Sequence, residues 1–365
     1  MQIYSPVILL GNGVRNNPKL IEHLCSLNIP ILTTWMAADL IAEDHPAFCG
    51  RPGVLGQRAA NIIIQKATHL YSYGARLDSE TIAYSYENFA PHAIKYVYDI
   101  DKAELGKFPV GWIVDTMPRF DKNPIDPQWL NWCKALYDRF RPELDGDNTG
   151  KYVNPFYLMA LLNEYSEADD VFAIGASGNA PCTFYQSYKV KKGQRVSNVS
   201  TIGAMGADIP MALGAALATG RRTICVTGDG GFQLNAQELE TIRRLNLPIT
   251  FFVLNNGGYN SIRMMQDGRF EGRRVGCDYN SGMTLPELEE ITHAYGLLYL
   301  SMRVKDLQFF YKCFEAFPMV VEVFVDPAWK QMPRCLTRIV DGELVTDPMQ
   351  DMTPKIDDLQ ELMND

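Results

Sequence analysis

The stretch Ile224-Cys-Val-Thr-Gly-Asp-Gly-Gly-Phe-Gln-Leu-Asn235 joins an apolar, strand-like run to a turn rich in glycine. Phe251-Phe-Val-Leu-Asn-Asn-Gly-Gly-Tyr259 has the same form, with asparagines in its turn. A helix-length segment at 235–245 separates them, so both runs are predicted to be strands of one parallel sheet. Ligands of such sheets bind beyond the carboxyl ends of the strands, where these turns would lie. The two runs therefore predict an α/β domain with a binding site at one sheet edge.

Strand-like runs alternate with helical segments along the whole chain, which predicts an α/β protein with two doubly wound parallel-sheet domains. The first is Rossmann-like and covers residues 1–115. Its predicted strands are 6–10, 29–33, 69–73 and 95–99, and its predicted helices are 18–27 and 59–66.

The second predicted domain covers residues 151–345. Its predicted helices are 155–165, 210–219 and 235–245, and its predicted strands are 170–174, 223–227, 248–254 and 319–325. Prolines and a polar run at 145–150 mark residues 116–150 as a linker, with a Trp-rich helix at 128–140. Residues 346–365 are left as a C-terminal tail.

Composition excludes several classes of protein. The formal net charge is −9, from 34 Lys and Arg against 43 Asp and Glu, which argues against nucleic acid and anionic membranes as partners. The N-terminus lacks the pattern of a signal peptide, and no apolar stretch approaches the roughly 18 residues that span a bilayer. The eight cysteines never occur as C-x-x-C, which favours reduced thiols in a cytoplasmic protein over a zinc site.

The two turns contain residues that could bind a metal and an anion. Asp229 and Asn256 end neighbouring predicted strands, and Gly258 can offer a backbone carbonyl. Three such oxygen ligands suit Mg²⁺, with diphosphate oxygens and water completing the octahedron. The glycines of the first turn, Gly228, Gly230 and Gly231, would let backbone N–H groups approach a diphosphate.

This pattern resembles the signature of thiamine-diphosphate (ThDP) enzymes of the acetolactate synthase and pyruvate decarboxylase type, which is GDG followed by NN. The resemblance implies that Asp229, Asn256 and the carbonyl of Gly258 hold Mg²⁺. Thr201-Ile-Gly-Ala-Met-Gly-Ala-Asp-Ile-Pro210 resembles the Gly-x-Met-Gly-x-x-x-Pro run of acetolactate synthases. There the methionine supports the bent cofactor beside backbone that meets its aminopyrimidine, which implies those roles for Met205 and Gly203. A buried core methionine is the alternative.

Two further segments resemble parts of the same family. The loop Gly175-Ala-Ser-Gly-Asn-Ala180 follows a predicted strand where the family places a second diphosphate loop, which implies Gly178 and Asn179; an ordinary turn is the alternative. Tyr259 and Ile262 would border the thiazolium, although Ile262 suits plain core equally well. The predicted cofactor-binding residues are Gly178, Asn179, Gly203, Met205, Gly228, Asp229, Gly230, Gly231, Asn256, Gly258 and Tyr259.

The first domain resembles the central domain of these enzymes, which binds FAD in acetolactate synthases and another nucleotide or nothing in relatives. Its Leu10-Gly-Asn-Gly-Val-Arg15 turn follows a strand, as in a dinucleotide fingerprint. However, Asn16 stands where the third glycine belongs, and no acidic residue directly follows the second strand. FAD is therefore kept as an alternative that the motif does not favour.

The resemblance runs from about residue 5 to 325 and so covers only two of the family's three domains. The third is a pyrimidine domain, whose glutamate activates the cofactor, and no His-Glu-x-x-Ala pattern occurs in this sequence. No catalytic residue is therefore assigned here, and the activating glutamate is expected on a separate pyrimidine-domain chain. A truncated chain would give the same sequence.

The expected function is that of one subunit of a split ThDP-dependent carboligase or decarboxylase, a transferase or lyase acting on a 2-oxo acid such as pyruvate. Because family sites form between subunits, a homo- or hetero-oligomer is expected. The alternative is a non-catalytic ThDP-binding or scaffold subunit.

Overall fold

The computed structural model describes residues 4–115, 126–142 and 151–364. The chain divides into two compact units, one comprising Met1–Arg141 with Met332–Asp365 and the other Pro142–Gln331. Each unit contains an all-parallel sheet with helices, which confirms the predicted fold class. No helix of the described residues is long and apolar enough to cross a membrane.

The first unit is built on a five-stranded sheet in the order β2-β1-β3-β4-β5. Its strands are β1 (Pro6–Leu10), β2 (Ile31–Thr33), β3 (His69–Tyr73), β4 (Ile94–Tyr98) and β5 (Ile113–Asp115), and its helices are α1 (Pro18–Cys25), α2 (Arg58–Lys66), α3 (Lys102–Leu105) and α4 (Pro127–Arg139). Strand β1, which lies between β2 and β3, is buried along its whole length, as expected for a parallel sheet covered on both faces. The four predicted strands are confirmed, but β2 begins two residues late, after Pro30, which has no N–H to donate.

The turn after β1 packs directly against the turn after β3. The N–H of Gly13 donates to the carbonyl of Gly74 at 2.9 Å, and a Cβ on Gly11 would lie 2.1 Å from the same oxygen. Only glycine permits so close an approach of two backbones. This contact accounts for the glycines of the predicted dinucleotide-like turn without a nucleotide.

The C-terminal segment belongs to the first unit, whereas the sequence placed residues 332–345 in the second domain. The Arg58 guanidinium donates to the carbonyls of Met352 (3.2 Å) and Pro354 (2.5 Å), and the N–H of Cys335 donates to Val54 at 2.8 Å. These bonds join residues almost 300 positions apart, which no local pattern indicates. The segment contains a hairpin of β12 (Thr337–Val340) and β13 (Glu343–Thr346), followed by α12 (Leu359–Asn364).

The second unit has a six-stranded sheet in the order β10-β11-β9-β8-β6-β7. Its strands are β6 (Val171–Ile174), β7 (Arg195–Ser197), β8 (Thr223–Gly228), β9 (Ile249–Asn255), β10 (Leu298–Met302) and β11 (Met319–Phe324). Its helices are α5 (Pro155–Tyr165), α6 (Asn179–Ser187), α7 (Asp208–Thr219), α8 (Asp229–Phe232), α9 (Glu238–Leu245), α10 (Asn260–Arg269) and α11 (Leu288–Ala294), with a 3-10 helix at Val304–Phe314.

The predicted strands of the second unit are confirmed to within a residue or two, whereas helices α6 and α10 were not predicted. Both begin directly after the turns that the sequence assigned to a ligand. The polar linker at 145–150 lies outside the described residues. Strands β8 and β9 pair in parallel with Gly228 opposite Leu254, so the turns after them lie side by side.

We predict that Gly11→Ala destabilises the first unit by about 3 kcal/mol or more, because the added methyl group would force two backbones apart. Urea unfolding measures the loss. Gly106→Ala is the matched control, since its nearest neighbour would lie 3.5 Å from the added carbon and its φ is −71°. Equal stabilities of the two variants would contradict the close contact.

Candidate cofactor site

The carboxylate of Asp229 connects the two turns that the sequence singled out. Asp229 is the first residue of α8, where β8 ends. Its Oδ1 accepts from the N–H of Gly230 at 2.8 Å, and its Oδ2 accepts from the N–H of Gly258 at 2.9 Å. Each oxygen keeps lone-pair capacity for a second partner. Asp229 therefore both holds the turns together and offers charged oxygen to a ligand.

The charge of Asp229 is poorly compensated in this structure. Burial raises the pKa of the carboxyl to about 6, against backbone hydrogen bonds that lower it. Among the described residues, no lysine or arginine forms an ion pair with it. A cation bound beside such a buried carboxylate would stabilise its charged form.

The two asparagines of the second turn have different surroundings. Asn255 Nδ2 donates to Glu322 at 2.5 Å, and its Oδ1 accepts from the N–H of Gly257 at 3.0 Å. Glu322 also accepts from Tyr299, and burial is the main cause that raises the pKa of that phenol. The side chain of Asn255 is thus engaged in shaping the turn, whereas buried Asn256 lines the cavity.

Gly258 is locked in place by a segment that follows α10. The N–H of Tyr259 donates to the carbonyl of Cys277 at 2.8 Å, and Gly258 forms an antiparallel bridge with Asp278. Gly258 has φ +137°, and a Cβ there would lie 2.3 Å from the Cys277 carbonyl. No other residue fits this position, so the second glycine of the turn is a structural requirement.

The cavity lining also contains donors for an anion. Asn179, the first residue of α6, accepts at Oδ1 from Asn260 (3.0 Å) and Gln331 (2.9 Å). With Oδ1 so engaged, the buried Nδ2 has no acceptor among the described residues. A helix N-terminus also presents unpaired backbone N–H groups. A diphosphate would satisfy these donors, so the residues of this cavity fit an anion as well as a cation.

A cavity of about 170 Å³ brings these groups together. Of the predicted cofactor-binding residues, all line it except Gly203, which lies in the loop before α7. Predicted Ile262 lines it too. Met205 and Tyr259 lie together beside Gly230. The lining residues that the sequence did not single out are Gly175, Ala176, Ser177, Gly206, Asp208, Thr227, Asn260 and Ser261.

Asp208 is the most notable of the missed residues. It is 1 % exposed, and burial raises the pKa of its carboxyl. A Cβ on Gly231 would lie 3.8 Å from its Oδ2, which places Asp208 beside the glycine turn. Asp208 lies within the Gly-x-Met-Gly-x-x-x-Pro run, which could have drawn attention to it. However, the pattern accepts any residue at that position, so it did not single out the aspartate.

Comparison with known proteins agrees with this geometry. The thiamine pyrophosphate enzyme C-terminal TPP binding domain matches residues 176–323, and the central domain of the same enzymes matches residues 2–115. The chain belongs to the thiamine pyrophosphate enzymes. Membership of this family supports thiamine diphosphate as the cofactor. Apart from Gly175, the residues that line the cavity lie in the part of the chain that matches the TPP binding domain.

The curated relatives of this thiamine pyrophosphate enzyme include acetolactate synthase large subunits. It is 29% identical to the probable large subunit of Methanococcus aeolicus, over 80% of this chain and 53% of the relative. It is 28% identical to the isozyme 2 large subunit of Escherichia coli, over 74% of this chain and 50% of the relative. It is 23% identical to the large subunit of Lactococcus lactis, over 97% of this chain and 63% of the relative. The chain thus spans about half to two thirds of the length of these relatives.

We predict that stability depends on pH through Asp229 in the metal-free protein. Its folded pKa of about 6 lies above its unfolded value, so its stabilising effect is present below about pH 4 and is lost as pH rises through 6. Wild type should lose about 2 kcal/mol relative to Asp229→Asn between pH 4 and pH 7. Denaturant unfolding of both proteins measures this, and a difference independent of pH would contradict the buried charge.

Proposed function

We propose that this chain is the cofactor-diphosphate part of a ThDP-dependent carboligase or decarboxylase that acts on a 2-oxo acid, with pyruvate as donor. The observation that carries the proposal is the Asp229 carboxylate, which binds the N–H groups of Gly230 and Gly258 beside Asn256. Asp229, which can supply a charged oxygen, lines one cavity with Asn256 and Gly258, which can each supply a neutral oxygen. The acetolactate synthase relatives support the 2-oxo acid as substrate class.

In this proposal Asp229, Asn256 and the carbonyl of Gly258 hold Mg²⁺, which prefers hard oxygen ligands. Gly228, Gly230, Gly231, Gly178 and the free donor of Asn179 hold the diphosphate. When bound, ThDP supplies a carbon nucleophile and an electron sink for decarboxylation of a 2-oxo acid. The chain itself positions the cofactor and neutralises its diphosphate.

Apolar side chains at the mouth of the cavity support a second polypeptide domain over the site. Met205 is 39% exposed, Ile262 is 41% exposed, and Ile202 in the same loop as Met205 is 83% exposed. A cofactor bound here would also remain open to water, which ThDP chemistry must exclude. We propose that a pyrimidine domain on a separate chain covers this surface and completes the site.

The acidic residues that line the cavity support an external proton-transfer group. Among the described lining residues these are Asp208 and Asp229 alone, and Asp229 is assigned to the metal. Because the family resemblance assigns the activating glutamate to the pyrimidine domain, we propose that this glutamate comes from that domain.

A hetero-oligomer, or a homodimer of this chain, follows from the same reasoning. Helix α7 buries Ile209, Ala212 and Ala216 in its own unit, while Leu217 on the other face is 55% exposed. Such a small, apolar outer face suits close packing against another subunit. The cytoplasm is the proposed location, since the scattered free cysteines suit a reducing compartment.

We predict that Asp229→Ala weakens Mg²⁺-dependent ThDP binding by at least about 100-fold, because the metal loses its charged protein ligand. Calorimetry in the presence of a pyrimidine-domain polypeptide from the same genome measures the affinity. Asp267→Ala is the control, because Asp267 is exposed and pairs with Arg274. Undiminished affinity in Asp229→Ala would exclude the metal assignment.

We also predict that the 365-residue chain alone, with ThDP, Mg²⁺ and pyruvate, releases no CO₂ above background. A missing proton-transfer group lowers rates by roughly 10²- to 10⁴-fold. Addition of the pyrimidine-domain polypeptide should start turnover. Robust turnover by the chain alone would refute the split arrangement, and ThDP binding without turnover in the assembled complex would favour a scaffold subunit.

A further inference from the structure

Arg263, in the first turn of α10, has a buried guanidinium that the proposed chemistry does not use. The residue is 5% exposed. Its Nη2 donates to the backbone carbonyl of Asn256 at 3.1 Å and approaches Asn256 Oδ1 at 3.4 Å. The same nitrogen lies 3.1 Å from the carbonyl of Pro327 and 3.3 Å from Asn260 Oδ1, so its two N–H bonds are shared among four acceptors. Arg263 thus joins α10 and the segment after β11 to the turn that contains Asn256.

All four acceptors of Arg263 are neutral oxygens. In the described parts of the chain, no acidic side chain forms an ion pair with it, and Asp267 on the next helical turn pairs with Arg274 instead. A buried cation without a counter-charge is costly, and an exposed arginine would avoid that cost. We therefore expect Arg263 to be buried because of the groups that it holds in place. Two of its contacts are with Asn256.

We propose that Arg263 is a positioning residue that fixes the amide of Asn256, so that its oxygen and not its NH₂ group faces the metal position. This inference rests on the proposed function. The two ends of an asparagine amide have nearly the same shape but opposite hydrogen-bonding character. The guanidinium attracts Oδ1 and repels the NH₂ group, and its bond to the Asn256 carbonyl fixes the backbone as well.

Loss of the correct Asn256 orientation should matter most for a metal ion that requires strict coordination geometry. Mg²⁺ demands near-ideal octahedral coordination at 2.0–2.1 Å, whereas Ca²⁺ accepts irregular sites with longer bonds. A misplaced amide oxygen should therefore weaken a Mg²⁺ complex much more than a Ca²⁺ complex. General loss of structure would weaken both complexes equally.

Arg263→Lys tests the proposal because it keeps the positive charge but lacks the planar fork of donors. ThDP affinity is measured by calorimetry with Mg²⁺ and with Ca²⁺, under the conditions used for Asp229→Ala. Loss of an outer-sphere partner typically weakens metal sites roughly 10- to 100-fold, which is the loss expected with Mg²⁺. With Ca²⁺ the loss should stay below about threefold. Arg273→Lys, at an exposed arginine beyond the same helix, is the matched control and should bind as wild type with both ions.

Equal losses with the two ions, or no loss with Mg²⁺, would overturn the role of Arg263. If wild type itself binds no ThDP with either ion, the proposed function fails, and this inference fails with it. Circular dichroism checks folding of each variant. Should Arg263→Lys fail to fold, Arg263→Gln provides the same comparison of ions, because glutamine can still donate to Asn256 without the charge.

Discussion

The site depends on one carboxylate between two backbone N–H groups. Asp229 receives hydrogen bonds from Gly230, in its own turn, and from Gly258, in the turn after the neighbouring strand. Parallel pairing of β8 with β9 brings these turns to the same sheet edge, but pairing alone leaves their backbones free to move. The carboxylate removes that freedom and at the same time places a negative charge where burial makes it costly. The Asp229 side chain therefore holds the two turns together and also offers a charged group to a ligand in the cavity.

Around this centre, each polar side chain has a distinct task. Asn255 shapes the second turn through Glu322 and Gly257, which leaves Asn256 to face the cavity. Arg263 donates to the backbone carbonyl of Asn256, and the side-chain amide of Asn179, which also lines the cavity, has a donor without an acceptor among the described residues. The cavity is thus lined by N–H donors as well as by the buried Asp229 carboxylate. Such an arrangement suits a cation that arrives together with an anionic group.

Burial of paired polar groups also explains how the first unit is assembled. The turns after β1 and β3 are joined by a hydrogen bond from Gly13 to Gly74, and helix α2 binds the C-terminal segment through Arg58. Both are interactions between residues distant in sequence. In each case a backbone carbonyl that would otherwise lack a partner receives a hydrogen bond.

The amino-acid sequence by itself determined the alternation of strands and helices, the all-parallel character of both sheets, and the two turns that form the site. These features follow from local periodicity and from glycine and asparagine at strand ends. It did not indicate that Met332–Asp365 packs with the first unit. It also did not indicate that Asp208 and Asn260 line the cavity, or that Asn255 and Asn256 have different surroundings. Those outcomes depend on partners far apart in the chain, such as Glu322 for Asn255 and Gln331 for Asn179. Only the tertiary structure decides them, because a side chain's hydrogen-bond partner is set by packing in space, of which sequence spacing carries no record.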